Sequence, residues 1–153
     1  MTIGIALFNP DIPGNTGTIL RLAACRGLNV HIIEPTGFDL SDRNLKRAGL
    51  DYLSLASLQR HINWEAFVNY VEANNKRLIL FTTKSTKSYY DFEYSNNDIL
   101  LFGRESAGVP EYVHQYVNHH LTIPIKENVR SLNLAVSVAM ATSVAEHPKK
   151  YKG

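Results

Sequence analysis

The chain has 153 residues, of which 44% are hydrophobic, 20% are charged and 10% are aromatic, and its formal net charge is +2. This length and composition are typical of one soluble globular domain, so we predict a single domain over residues 1–153. The lone cysteine, Cys25, excludes an internal disulfide framework and a cysteine-rich zinc site. Because the sequence also shows no signal-like or membrane-spanning run, we expect a cytoplasmic protein.

Short apolar runs alternate with helical patterns along the chain. In chain order, the pattern predicts a strand at Ile3–Phe8, a helix at Thr16–Arg26, a strand at Val30–Ile33, a short basic helix at Asp42–Ala48, a helix at Trp64–Ala73, strands at Arg77–Thr82 and Asp98–Phe102, a helical turn at Pro110–Tyr116, a strand at Leu121–Ile125 and a helix at Leu132–Val144. This alternation predicts an α/β fold, with a mostly parallel sheet and helices on both faces. Ligands of such sheets bind at the carboxyl ends of the strands, which draws attention to three segments that follow strands.

The first of these segments is the loop 9–17, which leads into the helix that carries Arg21. Asn15 or Thr16 fits the N-cap of this helix, and Gly27 fits its C-cap. Backbone N–H groups at a helix start suit an anion such as phosphate. The apolar neighbours of Arg21 predict a partly buried guanidinium, whose partner is a structural carboxylate, solvent reached by snorkelling, or a ligand.

The second segment is Phe102–Pro110, in which Gly103 and Gly108 enclose four residues. A nucleoside triphosphate loop is excluded, because Val109-Pro110 stands where such a loop requires lysine and serine or threonine. Gly103 has no side chain, so a ligand can approach the backbone closely there. Glu105 is then placed to bind a polar ligand or to hold Arg21, unless the segment is an ordinary turn.

The third segment is 124–133, which precedes the last helix. Ser131 fits the N-cap of that helix. The helix is apolar nearly all round, so we expect it to be buried or to pack against another subunit. Asn133 is a polar group with a specific partner, either in the core or in a ligand.

Basic residues cluster outside these three segments. Between Lys76 and Lys87 there are four cations and no acid. Together with Arg43, Lys46 and Arg47, they form either a basic face for a polyanion or simply a solvated surface. The histidines form no metal-binding H-E-x-x-H motif, and no G-x-S-x-G motif indicates a serine hydrolase, so no metal is expected.

Taken together, the three segments resemble the motifs of the SPOUT superfamily of RNA ribose 2′-O-methyltransferases. Within it, the chain is most similar to the small tRNA wobble-nucleotide enzymes of the TrmL/YibK type. The matching motifs are Asn15-Thr16-Gly17…Arg21, then Leu101-Phe102-Gly103-Arg104-Glu105-Ser106-Ala107-Gly108, then Ile123-Pro124…Arg130-Ser131-Leu132-Asn133-Leu134. The resemblance spans nearly the whole chain, and it departs from the relatives' pattern at Arg104, Val136 and Ser143.

The resemblance implies a deep C-terminal trefoil knot, a homodimer that uses the last helix, and S-adenosylmethionine as the cofactor. The implied cofactor-binding residues are Phe81, Leu101, Gly103, Ile123, Ser131 and Leu132, and the implied catalytic residues are Arg21, Glu105, Asn133 and Asn15. Arg21 is either the group that helps remove the hydroxyl proton or, because a guanidinium stays protonated, a group that binds phosphate or stabilises the developing alkoxide. Glu105 would orient Arg21.

The implied reaction is methylation of the ribose 2′-OH of the tRNA wobble nucleotide, position 34, a cytidine or a modified uridine. The RNA partner would be the anticodon stem-loop, since it presents unstacked bases. We expect its phosphates to contact Arg43, Lys46, Arg47, Lys84 and Lys87. The alternatives are the same chemistry on another tRNA or rRNA position, a knotted RNA-binding protein without activity, or a small-molecule-binding domain.

Overall fold

The computed structural model describes residues 3–40, 43, 57–129 and 132–151, with side chains described as far as 147. In these residues, six strands form one sheet in the order β3-β2-β1-β5-β4-β6, and every strand pair is parallel. The strands are β1 (Gly4–Phe8), β2 (Asn29–Ile33), β3 (Ser57–His61), β4 (Arg77–Phe81), β5 (Asp98–Phe102) and β6 (His119–Leu121). The predicted α/β fold with a parallel sheet is confirmed.

The described helices are α1 (Pro13–Arg26), α2 (Trp64–Ala73), α3 (Glu111–Tyr116) and α4 (Leu134–Tyr151), with a 3-10 turn at Tyr89–Asp91. The predicted bounds of α2 are confirmed. Helix α1 begins earlier than predicted, because Pro13 supplies a preset φ at the first turn, and Ile12 rather than Asn15 or Thr16 occupies the N-cap. Gly27 ends the helix with φ 66°, as expected for a glycine C-cap. No helix in the described part of the chain is long and apolar enough to cross a membrane.

Two strand predictions were wrong. Strand β3 was not predicted, because its sequence, Ser57–His61, is polar and mostly exposed at the sheet edge. Strand β6 ends at Leu121 rather than Ile125. Beyond it, the Thr122 N–H donates to the carbonyl of Lys87 at 2.8 Å, and Pro124 has no N–H to extend a ladder. Of the predicted basic helix, only Arg43 is described, and it is helical; the rest lies outside the described residues.

The sheet separates two hydrophobic cores, as alternating side chains on each strand require. Helices α1 and α4 cover one face, and their buried residues pack with Ile5, Leu7, Ile79 and Leu100. Helices α2 and α3 cover the other face, where Ala6, Phe8, Leu80 and Leu101 are buried. Because all the strands are parallel, their carboxyl ends share one edge, and the loops that follow β1, β4, β5 and β6 meet there.

Candidate active site

A cleft of about 520 Å³ opens at the carboxyl ends of β4, β5 and β6. This volume is within the range of roughly 300–1,000 Å³ that is usual for small-molecule sites. Its apolar wall includes Phe81 and Phe102, whose rings stack with centroids 5.0 Å apart, together with Ile123. The predicted site residues that line the cleft are Asn15, Phe81, Lys84, Gly103, Glu105, Ile123, Leu132 and Asn133.

The loop after β5 forms a tight, closed turn at the edge of the cleft. The Arg104 N–H donates to the Gly108 carbonyl at 3.0 Å, and the Gly108 N–H donates to the Arg104 carbonyl at 2.8 Å. A Cβ on Gly103 would lie 2.5 Å from the Gly108 carbonyl carbon, and Gly108 itself has φ +66°. Glycine is therefore required at 103 for the close backbone approach and favoured at 108 for the left-handed conformation.

Three polar side chains from three distant segments form a continuous hydrogen-bonded chain along the cleft. The Asn15 amide donates to Glu105 Oε2 at 3.1 Å, and the Asp11 N–H donates to Glu105 Oε1 at 3.0 Å. The Asn133 amide donates to Asn15 Oδ1 at 3.0 Å. These contacts fix both amide orientations, and each amide nitrogen carries a second hydrogen that they do not use.

Asn133 also caps helix α4. Its Oδ1 accepts from the N–H groups of Ala135 at 2.9 Å and Val136 at 3.2 Å, the second and third positions of the helix. The predicted cap, Ser131, lies outside the described residues, and Asn133 performs this role. One side chain thus couples the start of α4 to Asn15 on α1.

An ion pair joins the loop after β5 to the segment that precedes α1. Arg104 Nη2 lies 3.3 Å from Asp11 Oδ2, and the Ser106 hydroxyl donates to the same carboxylate. Burial raises the pKa of Asp11, but the hydrogen bond from Ser106 and the charge of Arg104 outweigh it and lower the pKa below its ordinary value. Asp11 is therefore ionised at neutral pH and holds the loop of Glu105 against the start of α1.

Four other predicted residues that the structure describes do not line the cleft. Arg21 is exposed on α1, six residues and about 9 Å along the axis from Asn15, so the expectation of a partly buried guanidinium was wrong. Its apolar neighbours Ile19 and Leu20 face the core instead. Leu101 packs its side chain into the core on the α2–α3 face of the sheet and does not line the cleft. Lys87 and Arg43 are exposed, and Lys46 and Arg47 lie outside the described residues.

Several residues of the cleft were not predicted from the sequence. His114 on α3 lines it, as do Thr82, Thr83 and Thr122. Burial, followed by the charges of Lys84 and His120, lowers the pKa of His114, so a neutral imidazole faces the cleft at pH 7. The position of the threonines directly after β4 and β6 is the signal that would have found them.

The sequence and the fold both match one family. The model of the SpoU rRNA methylase family matches residues 2–143. A tRNA (cytidine(34)-2′-O)-methyltransferase from Beijerinckia indica subsp. indica is 49% identical over 141 residues, which cover 92% of this chain and 88% of that protein. A similar enzyme from Yersinia pestis is 37% identical, over 99% of this chain and 96% of its own.

A solved structure described as giving insights into the 2-OH methylation of C/U34 on tRNA superposes with a TM-score of 0.89. It is 40% identical, and the alignment covers 94% of this chain and 93% of that one. Sequence and fold agree, and the chain belongs to the SpoU rRNA methylase family.

Proposed function

We propose that this protein transfers the methyl group of S-adenosylmethionine to the ribose 2′-OH of the wobble nucleotide, position 34, of a tRNA. The observation that carries the proposal is the Glu105–Asn15–Asn133 chain of hydrogen bonds, which lies along the same cleft as the apolar wall of Phe81 and Ile123. The names of the relatives that align over most of the chain supply the reaction and the target nucleotide.

The lining of the cleft fits S-adenosylmethionine. Phe81, Phe102 and Ile123 provide apolar surface for an adenine ring, and the Gly103 turn lets a ligand lie against the backbone. The Glu105 carboxylate supplies a negative charge on a wall of the cleft, which complements a sulfonium cation. We propose Leu132, which lines the cleft, and Ser131 as further contacts of the cofactor. When bound, the cofactor supplies an activated methyl group on a good leaving group.

The protein must position the ribose hydroxyl and assist the loss of its proton to water or to an RNA phosphate, because that hydroxyl is barely ionised at neutral pH. In the proposal, the second amide hydrogens of Asn15 and Asn133 hold the ribose, and Glu105 keeps both amides oriented. Arg21 stays protonated and lies outside this cleft, so we assign it to a phosphate of the RNA, where it helps to align the ribose. Its exposed position on α1 supports contact with an RNA rather than with a ligand enclosed in the cleft.

We also propose a homodimer that uses α4. Val136 and Met140 are 46% and 36% exposed on that helix, although both are apolar. Covering them with a second copy would remove this apolar surface from water. The RNA would then lie across Lys84, which joins the cleft to the exposed loop, and across Lys87 and the basic segment of Arg43, Lys46 and Arg47. The C-terminal knot and the cytoplasmic location belong to the same proposal.

The test is transfer of labelled methyl from S-adenosylmethionine to tRNA from a strain that lacks this protein, followed by nuclease mapping. We expect label on the 2′-oxygen of nucleotide 34. Label in rRNA or at another tRNA position would keep the chemistry and overturn the target. No label on tRNA that carries its other modifications would contradict the activity.

Arg21→Ala tests the role of the arginine in the same assay. We expect the rate to fall about 100-fold, the loss that a substrate misplaced by roughly 1 Å can cause. Arg21→Lys, which keeps the charge without the fork of donors, should recover part of this loss. A near-normal rate for Arg21→Ala would show that Arg21 has no role in the reaction.

A further inference from the structure

An exposed aromatic side chain, Tyr90, lies two ring contacts from the cleft wall, and packing in the core does not explain it. It is 67% exposed, although its neighbour Tyr89 is 1% exposed. The Tyr89 and Tyr90 rings lie 4.5 Å apart between centroids, and the Tyr89 ring packs edge-on against Phe81 of the cleft wall at 6.3 Å. Tyr90 is thus connected through one buried ring to the wall that we assign to the cofactor.

The backbone around Tyr90 is held in place. The Tyr89 N–H donates to the Thr122 carbonyl at 3.0 Å, and the Thr122 N–H donates to the Lys87 carbonyl at 2.8 Å. The Ser88 hydroxyl accepts from the Tyr90 N–H at 3.3 Å and so caps the 3-10 turn. Thr122 itself lines the cleft, so the backbone that carries the exposed ring has a fixed position relative to that cleft.

The charges on the approach to this ring favour an anion. Lys84 and Lys87 are exposed on the segment between β4 and Tyr90, and no acid occurs from Lys76 to Tyr90. Asp91, the last residue of the turn, and Glu93 are exposed acids, so the positive charge is confined to the lysine segment that precedes the turn. Lysines beside an exposed aromatic ring are the combination that binds single-stranded nucleic acid, through phosphates and base stacking.

Resting on the function proposed above, we propose that Tyr90 is a positioning residue onto which an unstacked base of the substrate RNA stacks, next to the nucleotide that is methylated. Lys84 and Lys87 hold the phosphates of the same strand. Every base has a π face that can stack on the ring, so Tyr90 would position the RNA strand whatever the identity of the stacked base. It therefore affects the alignment of the RNA and not the binding of the cofactor.

The test measures RNA affinity as a function of salt, with an anticodon stem-loop as the probe. Tyr90→Ala should weaken binding by about 5- to 100-fold, the usual range for one stacked base, and raise KM for RNA with a smaller change in kcat. For Tyr90→Ala, the slope of log affinity against log salt concentration should equal that of the wild type, because the variant loses no phosphate contact. Lys84→Ala should instead reduce that slope by about one.

Matched variants separate stacking from other contacts. Tyr90→Phe keeps the π face and should bind RNA like the wild type, while Tyr90→Leu keeps apolar surface without it and should resemble Tyr90→Ala. Tyr112 is also more than half exposed, at 53%, and packs against Phe8 and Trp64. Tyr112→Ala should leave RNA affinity unchanged. Thermal unfolding confirms that each variant is folded.

Three results would overturn the inference and leave the proposed function standing. They are wild-type affinity in Tyr90→Ala, wild-type affinity in Tyr90→Leu, and a loss of dimer mass in Tyr90→Ala by sedimentation, which would make the tyrosine a subunit contact. Failure of the wild-type protein to methylate tRNA would instead remove the proposed function itself.

Discussion

The two ends of the parallel sheet both carry charged and polar clusters, yet the clusters are built differently. At the amino end, Asp98 is buried and the first residue of β5, and it accepts two hydrogen bonds from Arg77, at 2.6 and 2.8 Å. The backbone N–H and the hydroxyl of Ser95 donate to the same carboxylate, at 2.6 and 3.2 Å. At the carboxyl end, Glu105, Asn15 and Asn133 line an open cleft.

The difference indicates what each cluster does. At the amino end, one carboxylate receives all its hydrogen bonds from the chain itself, which ties the starts of β4 and β5 together. At the carboxyl end, each asparagine that lines the cleft keeps one amide hydrogen outside these hydrogen bonds, and the members of the chain come from loops and helix starts. A stabilising pair is buried and saturated by the protein, whereas a binding site keeps donors for a ligand. The predictions below test this division.

Breaking the amino-end pair should give the largest loss of stability. Asp98→Ala leaves the Arg77 guanidinium, which is 36% exposed, without its carboxylate and the two Ser95 donors without their acceptor. We expect the free energy of unfolding to fall by about 3 kcal/mol in urea titrations. The double variant Arg77→Leu with Asp98→Leu should recover part of this loss, because no guanidinium is then left without its carboxylate. The rate of methyl transfer per folded molecule should be unchanged. A large fall in this rate would contradict the assignment of stability to the amino end of the sheet and of binding to the carboxyl end.

A third polar cluster makes stability depend on pH. His31 Nδ1 and His61 Nε2 lie 3.0 Å apart, and both imidazoles are buried between β2 and β3. Burial, with the charges of His61 and Lys76, lowers the pKa of His31 from 6.5 to about 4, and burial lowers the pKa of His61. The unfolded chain therefore binds more protons, so this stability is fully present above pH 6.5 and is lost as the pH falls towards 4.

We expect His31 to account for a loss of about 3 kcal/mol in the free energy of unfolding between neutral pH and pH 4. Urea titrations at several pH values measure it. The double variant His31→Leu with His61→Leu should flatten the dependence over this window. A slope that persists unchanged in the double variant would assign the effect to other groups.

The glycine turn tests the carboxyl end. Gly103→Ala places a Cβ 2.5 Å from the backbone of Gly108, so the turn must open. We expect the dissociation constant for S-adenosylmethionine, measured by calorimetry, to rise by about 10- to 100-fold, roughly 1.4–2.7 kcal/mol. Gly14→Ala is the matched control, because a Cβ there has nothing within 4 Å. Wild-type affinity in Gly103→Ala would mean that the turn does not shape the cofactor site.

The smallest expected effect separates the two roles of Asn133. Asn133→Ala removes the helix cap and should cost about 1 kcal/mol of stability. Asn133→Ser keeps a capping oxygen but has no amide to donate to Asn15. We expect Asn133→Ser to be nearly as stable as the wild type and to methylate as slowly as Asn133→Ala. If Asn133→Ser recovered both the stability and the methylation rate of the wild type, the role of Asn133 would be limited to capping α4.

The sequence predicted the strands that are apolar runs, such as Gly4–Phe8 and Asp98–Phe102, and the helix with a clear apolar face, Trp64–Ala73. It missed Ser57–His61, because a polar edge strand has no periodic signature of burial. It also identified Asn15, Glu105 and Asn133 separately. Their mutual hydrogen bonds join positions 90 and 118 residues apart, and only the folded chain shows such contacts. His114 carried no local motif that could be recognised.

The most direct test of the division is the single-turnover rate of methyl transfer to tRNA by Glu105→Gln, measured beside its free energy of unfolding. Glutamine keeps the size of the side chain but loses one of the two acceptors that orient Asp11 and Asn15. We predict a rate at least about 10-fold lower, or 1.4 kcal/mol in barrier, with the unfolding free energy within about 1 kcal/mol of the wild type. A wild-type rate, or a loss of stability as large as that of Asp98→Ala, would contradict the account.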